Sequence, residues 1–253
     1  MEPMMIFLDE GALDGEARFP SACAVVVGDV AVMTKQIEDL IHELMLQPDF
    51  QLERGAADFE KVGFHHVEDN VMAMTRFEGL LPRMDFEWWC SADLDASVED
   101  PYLALPDQFR WISRTILQKY RGRRVHFVFE QNDRLRSHFS SIVESAVAYA
   151  EQPSDLVTFA VGTKADRVLS VADYCIALAS QAIRVWIDAC CDTRALPGKY
   201  QYRSFAAIEP LCSTLFAANF GKSLSSRAVR LADHSFFDIS GSHSRTCRRM
   251  GAQ

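Results

Sequence analysis

An α/β domain with a mixed β-sheet flanked by helices is the fold class that this 253-residue chain predicts. Three observations predict it. Short apolar runs suited to buried strands alternate with longer stretches whose apolar residues recur at spacings of three and four. The first two runs follow each other closely, whereas later ones are separated by helical patterns, which calls for a mixed sheet. Two of the runs also end on acid, at Asp9-Glu10-Gly11 and at Phe129-Glu130.

The elements follow in order. Residues 4–11 read as a buried strand, and residues 19–28, small and β-branched between Pro20 and the Gly28-Asp29 turn signal, as a second. Ile37, Leu40, Ile41, Leu44 and Met45 mark an amphipathic helix over 35–45 that ends near Pro48. The polar stretch 51–61 reads as a loop, 62–67 as a short extended segment, and 68–81 as a helix stopped by Pro82. Residues 85–92, containing Trp88 and Trp89, read as a strand with one ring facing the core and the other a helix or solvent, which favours packing over base stacking. A polar link with Pro101 and Pro106 leads to a helix over 107–120, and residues 124–130 form the strand that arrives at Glu130. Leu135, Phe139, Ile142, Val143 and Ala146 predict the next helix, 156–161 a strand, and 168–189 a long apolar helix that contains Asp173. Beyond Pro197 the pattern changes. A helix-like piece over 205–220 precedes a polar tail carrying Arg245, Arg248 and Arg249, so a domain over 1–195 is followed by a C-terminal helical extension and mobile tail over 196–253.

Composition narrows the function. A net charge of -9 argues against sequence-blind adhesion to nucleic acid through Lys and Arg, yet a carboxylate site turns positive once cations bind. Seven scattered cysteines without a C-x-x-C pair suggest neither a disulfide framework nor a zinc ribbon, and the Cys190-Cys191 pair reads as packing. No apolar run approaches the ~20 residues of a membrane span, and the opening lacks a basic signal-peptide start. The expectation is a cytoplasmic protein without a membrane partner; the sequence leaves its oligomeric state open.

Asp9, Glu130 and Asp173 carry the chemistry. Carboxylates at neighbouring strand ends and on a helix packed across them repel one another, and hard cations held through oxygen relieve that repulsion. Mg2+ or Mn2+ is the expected cofactor, as two ions about 4 Å apart on a phosphodiester. Asp173 lies among Val171, Ala172, Cys175 and Ile176, where an aspartate needs a partner or a metal; Lys164 or an arginine is the alternative partner. Glu10 is a further candidate ligand, but strand alternation sends it away from Asp9 unless the chain turns at Gly11. His65 or His66 is the candidate proton carrier, one at most entering the site from an extended segment. Glu68 and Asp69 read as first-turn helix acids, and Asp133 as the cap of the helix that follows it. A P-loop, a nucleophile elbow, a zinc-protease helix and a dinucleotide turn are all missing; Gly221-Lys222-Ser223 has Phe216 where a phosphate loop needs glycine.

These residues together resemble the DUF-3800 family of unknown function, whose members open with a strand running into Asp-Glu-Ser-Gly and carry a late helix with Leu-Gln-x-Ala-Asp. Here the first pattern is Asp9-Glu10-Gly11, without the serine, and the second is Leu169-Ser170-Val171-Ala172-Asp173. Phe64-His65-His66 and Phe129-Glu130 match its histidine segment and its acid-ending strand, so the resemblance spans roughly residues 4–190. It implies an RNase H-like mixed sheet and chemistry of the nuclease, transposase or resolvase type. The expected function is a metal-dependent nuclease hydrolysing DNA or RNA. The alternative is an inactive RNase H-like scaffold that binds nucleic acid or a protein partner, in a mobile-element or phage-defence setting.

Overall fold

The computed structural model describes residues 2–11, 19–52, 56–94, 100–163, 165–189 and 193–234. Lys164, Cys190, Cys191 and the arginines of the tail lie outside these residues.

Seven strands form one sheet: β1 (Met4–Gly11), β2 (Ser21–Val27), β3 (Phe86–Ala92), β4 (Val125–Glu130), β5 (Val157–Gly162), β6 (Cys212–Ala217) and β7 (Lys222–Ser226). Their order is β5-β4-β1-β2-β3-β6-β7. β2 runs antiparallel to β1 and β3, while β4 lies parallel to β1, and β5 to β4. β6 then pairs parallel with β3, and β7 returns antiparallel. The sheet is therefore mixed and flanked by helices, as the apolar runs predict.

Alternation sorts each strand between two cores. Phe7, Cys23, Val25, Trp88 and Cys90 face one, which is closed by α1 (Val30–Met45), α4 (Val71–Leu80), α7 (Leu169–Asp188) and α8 (Tyr200–Ile208). Ile6, Leu8, Ala24, Trp89 and Phe127 face the other, beneath α5 (Pro101–Lys119) and α6 (Phe139–Ala150). Trp88 and Trp89 are thus both buried, one in each core, and neither is available to a base. The period-3.6 stripe of α1 buries Met33, Ile37, Ile41 and Leu44, and Asp29 caps it by accepting the Val32 N–H. No helix among the described residues is long and apolar enough to cross a membrane.

Several local expectations are corrected. The stretch 51–61, expected as a loop, contains the short helix α3 (Ala56–Val62), and α2 (Pro48–Gln51) ends where it begins. Phe50 and Phe59 anchor them edge-on at 5.0 Å, and Arg167 donates to the Glu60 and Lys61 carbonyls at the end of α3, so tertiary contacts hold what local pattern does not show. The segment after Val62 forms a turn rather than a strand. α5 begins at Pro101, because Asp100 accepts the Tyr102 N–H and a proline in the first turn forfeits no intrahelical bond. Asn132, not Asp133, accepts the Arg134 and Leu135 N–H groups, and α6 starts only at Phe139. Asn70 caps α4, so Glu68 and Asp69 precede the helix instead of lying in its first turn.

The C-terminal expectation changes most. The segment after Pro197 is not purely helical: α8 ends at Ile208, and the residues beyond it add β6 and β7 to the edge of the main sheet. Leu211, Leu215 and Phe216 imitate a helical spacing, but Cys212, Leu215 and Ala217 are the buried positions of a strand. The sheet consequently runs across the 195/196 boundary.

Candidate active site

The parallel register of β1 and β4 sets Leu8 beside Phe129, so each strand's next residue, Asp9 and Glu130, stands at the same end of the sheet. Both point to the face covered by α7, following Phe7 and Val128. Asp173 sits in the second turn of α7, where the helix passes over those strand ends. The three acids line one cleft of about 680 Å3 with Glu10, His65 and His66. Every residue proposed for the site from sequence alone therefore borders the same space.

Asp9 forms the floor, only 2% exposed. It shares a side-chain hydrogen bond with Glu130, and its Oδ1 accepts the Glu10 N–H at 2.7 Å. Burial, followed by the bond to Glu130 and the fields of Glu130, Asp173 and Glu10, holds its carboxyl well above the usual carboxylate range. A buried acid whose charged neighbours are acids is short of positive charge, and either a proton or a cation supplies it.

Glu10 obeys alternation yet still reaches the rim. Asn132, in the turn after β4, donates to its Oε1, while burial raises its carboxyl to about 7 against the opposing pull of that bond. The expectation that Asp9 and Glu10 could share the site only through a turn at Gly11 is thus corrected: β1 stays extended through Gly11, and the strand end itself leaves both carboxyls on the cleft.

The histidine turn is fastened to α7 at two consecutive residues. Asp173 Oδ2 accepts the His66 N–H at 2.7 Å. Tyr174 donates its hydroxyl to Asp69, which in turn accepts the His65 N–H at 3.0 Å. Burial raises Asp69 to about 6 in spite of these bonds. His65 Nδ1 is buried, has no hydrogen-bond partner and lies 3.9 Å from Asp173 Oδ2. His66 is more enclosed, its ring edge-on to Tyr174 at 5.1 Å and its Nε2 3.2 Å from Gln181 Nε2.

Gly63 makes this turn possible. It ends α3 with φ +80, and a Cβ there would stand 2.7 Å from Arg167 Nη1. Gly63→Ala is expected to destabilise the protein by about 1–2 kcal/mol through the left-handed backbone alone, and further by displacing Arg167. Gly221, φ +63 with nothing near its missing Cβ, is the control. Equal losses for Gly63→Ala and Gly221→Ala in urea unfolding would contradict the Arg167 contact.

Among the described residues no three His, Cys, Asp or Glu groups already close on one point as a finished metal cluster. The donor set nevertheless fits hard cations. Asp9, Glu130 and Asp173 offer carboxylate oxygens in one accessible cleft, and the fields acting on Asp9 are those of other acids. Asn132, Asp69, Tyr174, Gln181 and Arg184 were not singled out from sequence as site residues. Ser180, Gln181 and Arg184 follow Asp173 at helical intervals and were readable from that period; Asn132 and Asp69 act through long-range bonds that leave no local signal. Comparison with protein-family models, curated proteins and solved structures returns no match to the chain.

Proposed function

We propose that the chain is a metal-dependent phosphodiesterase, a nuclease acting on DNA or RNA, with an RNase H-like core and a divergent relationship to the DUF-3800 family. The observation that carries this reading is the carboxyl pair of buried Asp9 and half-buried Glu130, which borders one open cleft with Asp173. In the run β5-β4-β1-β2-β3 the first strand is central, with antiparallel β2 and β3 on one side and parallel β4 and β5 on the other, and this order supports the RNase H-like assignment. Four buried, unpaired cysteines, Cys23, Cys90, Cys175 and Cys212, suit a reducing cytoplasmic setting.

Asp9, Glu130 and Asp173 would hold Mg2+ or Mn2+, with Glu10 at the outer edge. Bound there, the cations would supply Lewis acidity toward the oxygens of a phosphodiester. The chain's own groups do the rest. Asp9, fixed by the Glu10 N–H and buried on the floor of the cleft, would be a pre-organised ligand. Asp173 is oriented by the His66 N–H and lies 3.9 Å from His65 Nδ1, a buried nitrogen without a hydrogen-bond partner. His65, rather than the packed His66, would then deliver a proton to a departing oxygen.

Titration calorimetry with Mn2+ tests the reading: binding by the wild type that is lost in Asp9→Ala supports it, and no binding, or binding unchanged by that substitution, overturns it. His65→Ala is expected to keep cation binding but slow single-turnover cleavage of labelled oligonucleotides by about 10²–10⁴-fold. An unchanged rate would remove His65 from the chemistry. Nucleic-acid binding that persists in EDTA and without Asp173 would instead identify a non-catalytic scaffold.

A further inference from the structure

The cleft is larger than the carboxylate floor requires. At about 680 Å3 it has the size of sites that enclose a whole nucleotide-sized ligand. Its long wall is one face of α7: Asp173, then Ala177, Gln181 and Arg184 follow at helical spacing. Arg184 lies about 16 Å from Asp173 along the axis at 1.5 Å per residue, farther than one phosphate group spans. The character of the wall changes along this distance, from acid at Asp173 through small Ala177 and the uncharged polar Ser180 and Gln181 to cationic Arg184 at the far end.

Tyr200, the first residue of α8, borders the same cleft. The residue is 55% exposed although its hydroxyl is tied down, donating to Glu78 Oε2 at 3.1 Å. Ser204 donates to the same oxygen at 2.6 Å, so Glu78 of α4 secures the start of α8 twice. A tethered aromatic ring with an open face is a stacking platform whose ordering is complete before any ligand arrives.

Building on the phosphodiesterase reading, we propose that the far half of the cleft, between Ala177 and Arg184 and capped by Tyr200, is a subsite for an unpaired nucleobase and the phosphate beyond it. The substrate class is then single-stranded nucleic acid rather than duplex or a small phosphorylated metabolite. A base held inside a duplex offers its face only to its stacked neighbours, and a small phosphoester cannot span from Asp173 to Arg184. The sugar is not read by any of these groups, so DNA and RNA are separate arms of one test.

The experiment measures anisotropy of labelled single strands of about 12 nucleotides, as DNA and as RNA, with the full chain in Ca2+, alongside cleavage in Mn2+. Tyr200→Ala is expected to weaken single-strand binding by about 5- to 150-fold. Tyr200→Trp restores it, and a strand of abasic units binds wild type and Tyr200→Ala alike. Dependence on Tyr200 with either sugar supports the subsite. Equal binding by wild type and Tyr200→Ala, or tighter binding of duplex, overturns it; if Mn2+-dependent cleavage persists in that case, the phosphodiesterase reading stands without it. Failure of the wild type to bind or cleave any strand, although Mn2+ binds at Asp9, overturns both the subsite and the nuclease.

Discussion

Asp9→Asn is expected to abolish the response to divalent cations while making the cation-free protein more stable at neutral pH. The amide keeps the size of the carboxyl group and donates to Glu130, but it removes an ionisable acid from a position 2% exposed. Relief from burying such an acid contributes on the order of 1–3 kcal/mol. The pH dependence follows from the direction of the shifts. The Asp9 and Glu10 carboxyls, ordinarily at 3.8 and 4.5, are both raised in the folded state, Glu10 to about 7. The native state therefore binds more protons than the unfolded chain over this range. The contribution of Glu10 is fully present below about pH 4 and is lost as pH rises through about 7, and that of Asp9 falls in the same direction with rising pH. Thermal melts without cation should show wild type and Asp9→Asn converging in mild acid and separating toward pH 8, with the variant higher. Mn2+ at about 100 times its Kd then adds roughly 2.7 kcal/mol to the wild type and nothing to the variant. An Asp9→Asn protein less stable than wild type at pH 8, or still stabilised by Mn2+, would contradict the charge-deficient site.

Trp88→Ala should produce the largest loss of stability, about 3–5 kcal/mol for a fully buried tryptophan. The ring is 0% exposed, lies edge-on to Phe205, and donates its indole N–H to the Ile208 carbonyl at 3.0 Å. It joins β3 to α8 and to the turn that leads into β6. Trp88→Phe retains most of the apolar contact but orphans the Ile208 carbonyl, and should cost about 1–3 kcal/mol. Urea unfolding measures both. Because Tyr200 opens the helix that Trp88 anchors, hydrogen exchange in Trp88→Phe should quicken in α8 before it does in β1 or β4. Uniform exchange, or a loss below about 1 kcal/mol for Trp88→Ala, would show that the C-terminal strands do not depend on this residue.

The elements that could be read from sequence are those whose burial is uniform along their length. β1, β4 and α7 bury nearly every turn or every other residue against two layers, and their apolar pattern is correspondingly unbroken. α3 and β6 escaped because one or two anchors hold them: Phe59 and Arg167 for the first, pairing with β3 for the second. The start of α5 is hidden because Pro101 looks like a breaker in isolation and is an opener once Asp100 caps the turn. At the site, Asp9 and Glu130 are legible because acid at the end of an apolar run is conspicuous, and Asp173 because an acid inside an apolar helix is costly without a partner. Asn132, Tyr174 and Asp69 were not, since their roles arise from bonds across 105 and 122 positions of chain.

The placement of β6 beside β3 has a consequence for the birth of the protein. β6 follows β3 by roughly 120 residues, and at ~5–20 residues per second of synthesis the outer edge of β3 stays without its partner for about 6–24 s. That edge belongs to Phe-Glu-Trp-Trp-Cys-Ser-Ala, an apolar strand of the sort that pairs readily with strangers. The acids at the ends of β1 and β4, and the first turns of α7, have all left the ribosome well before the edge is covered. The nascent chain thus assembles its cleft first and protects its most adhesive strand last, and the interval between the two is when it has most need of a chaperone.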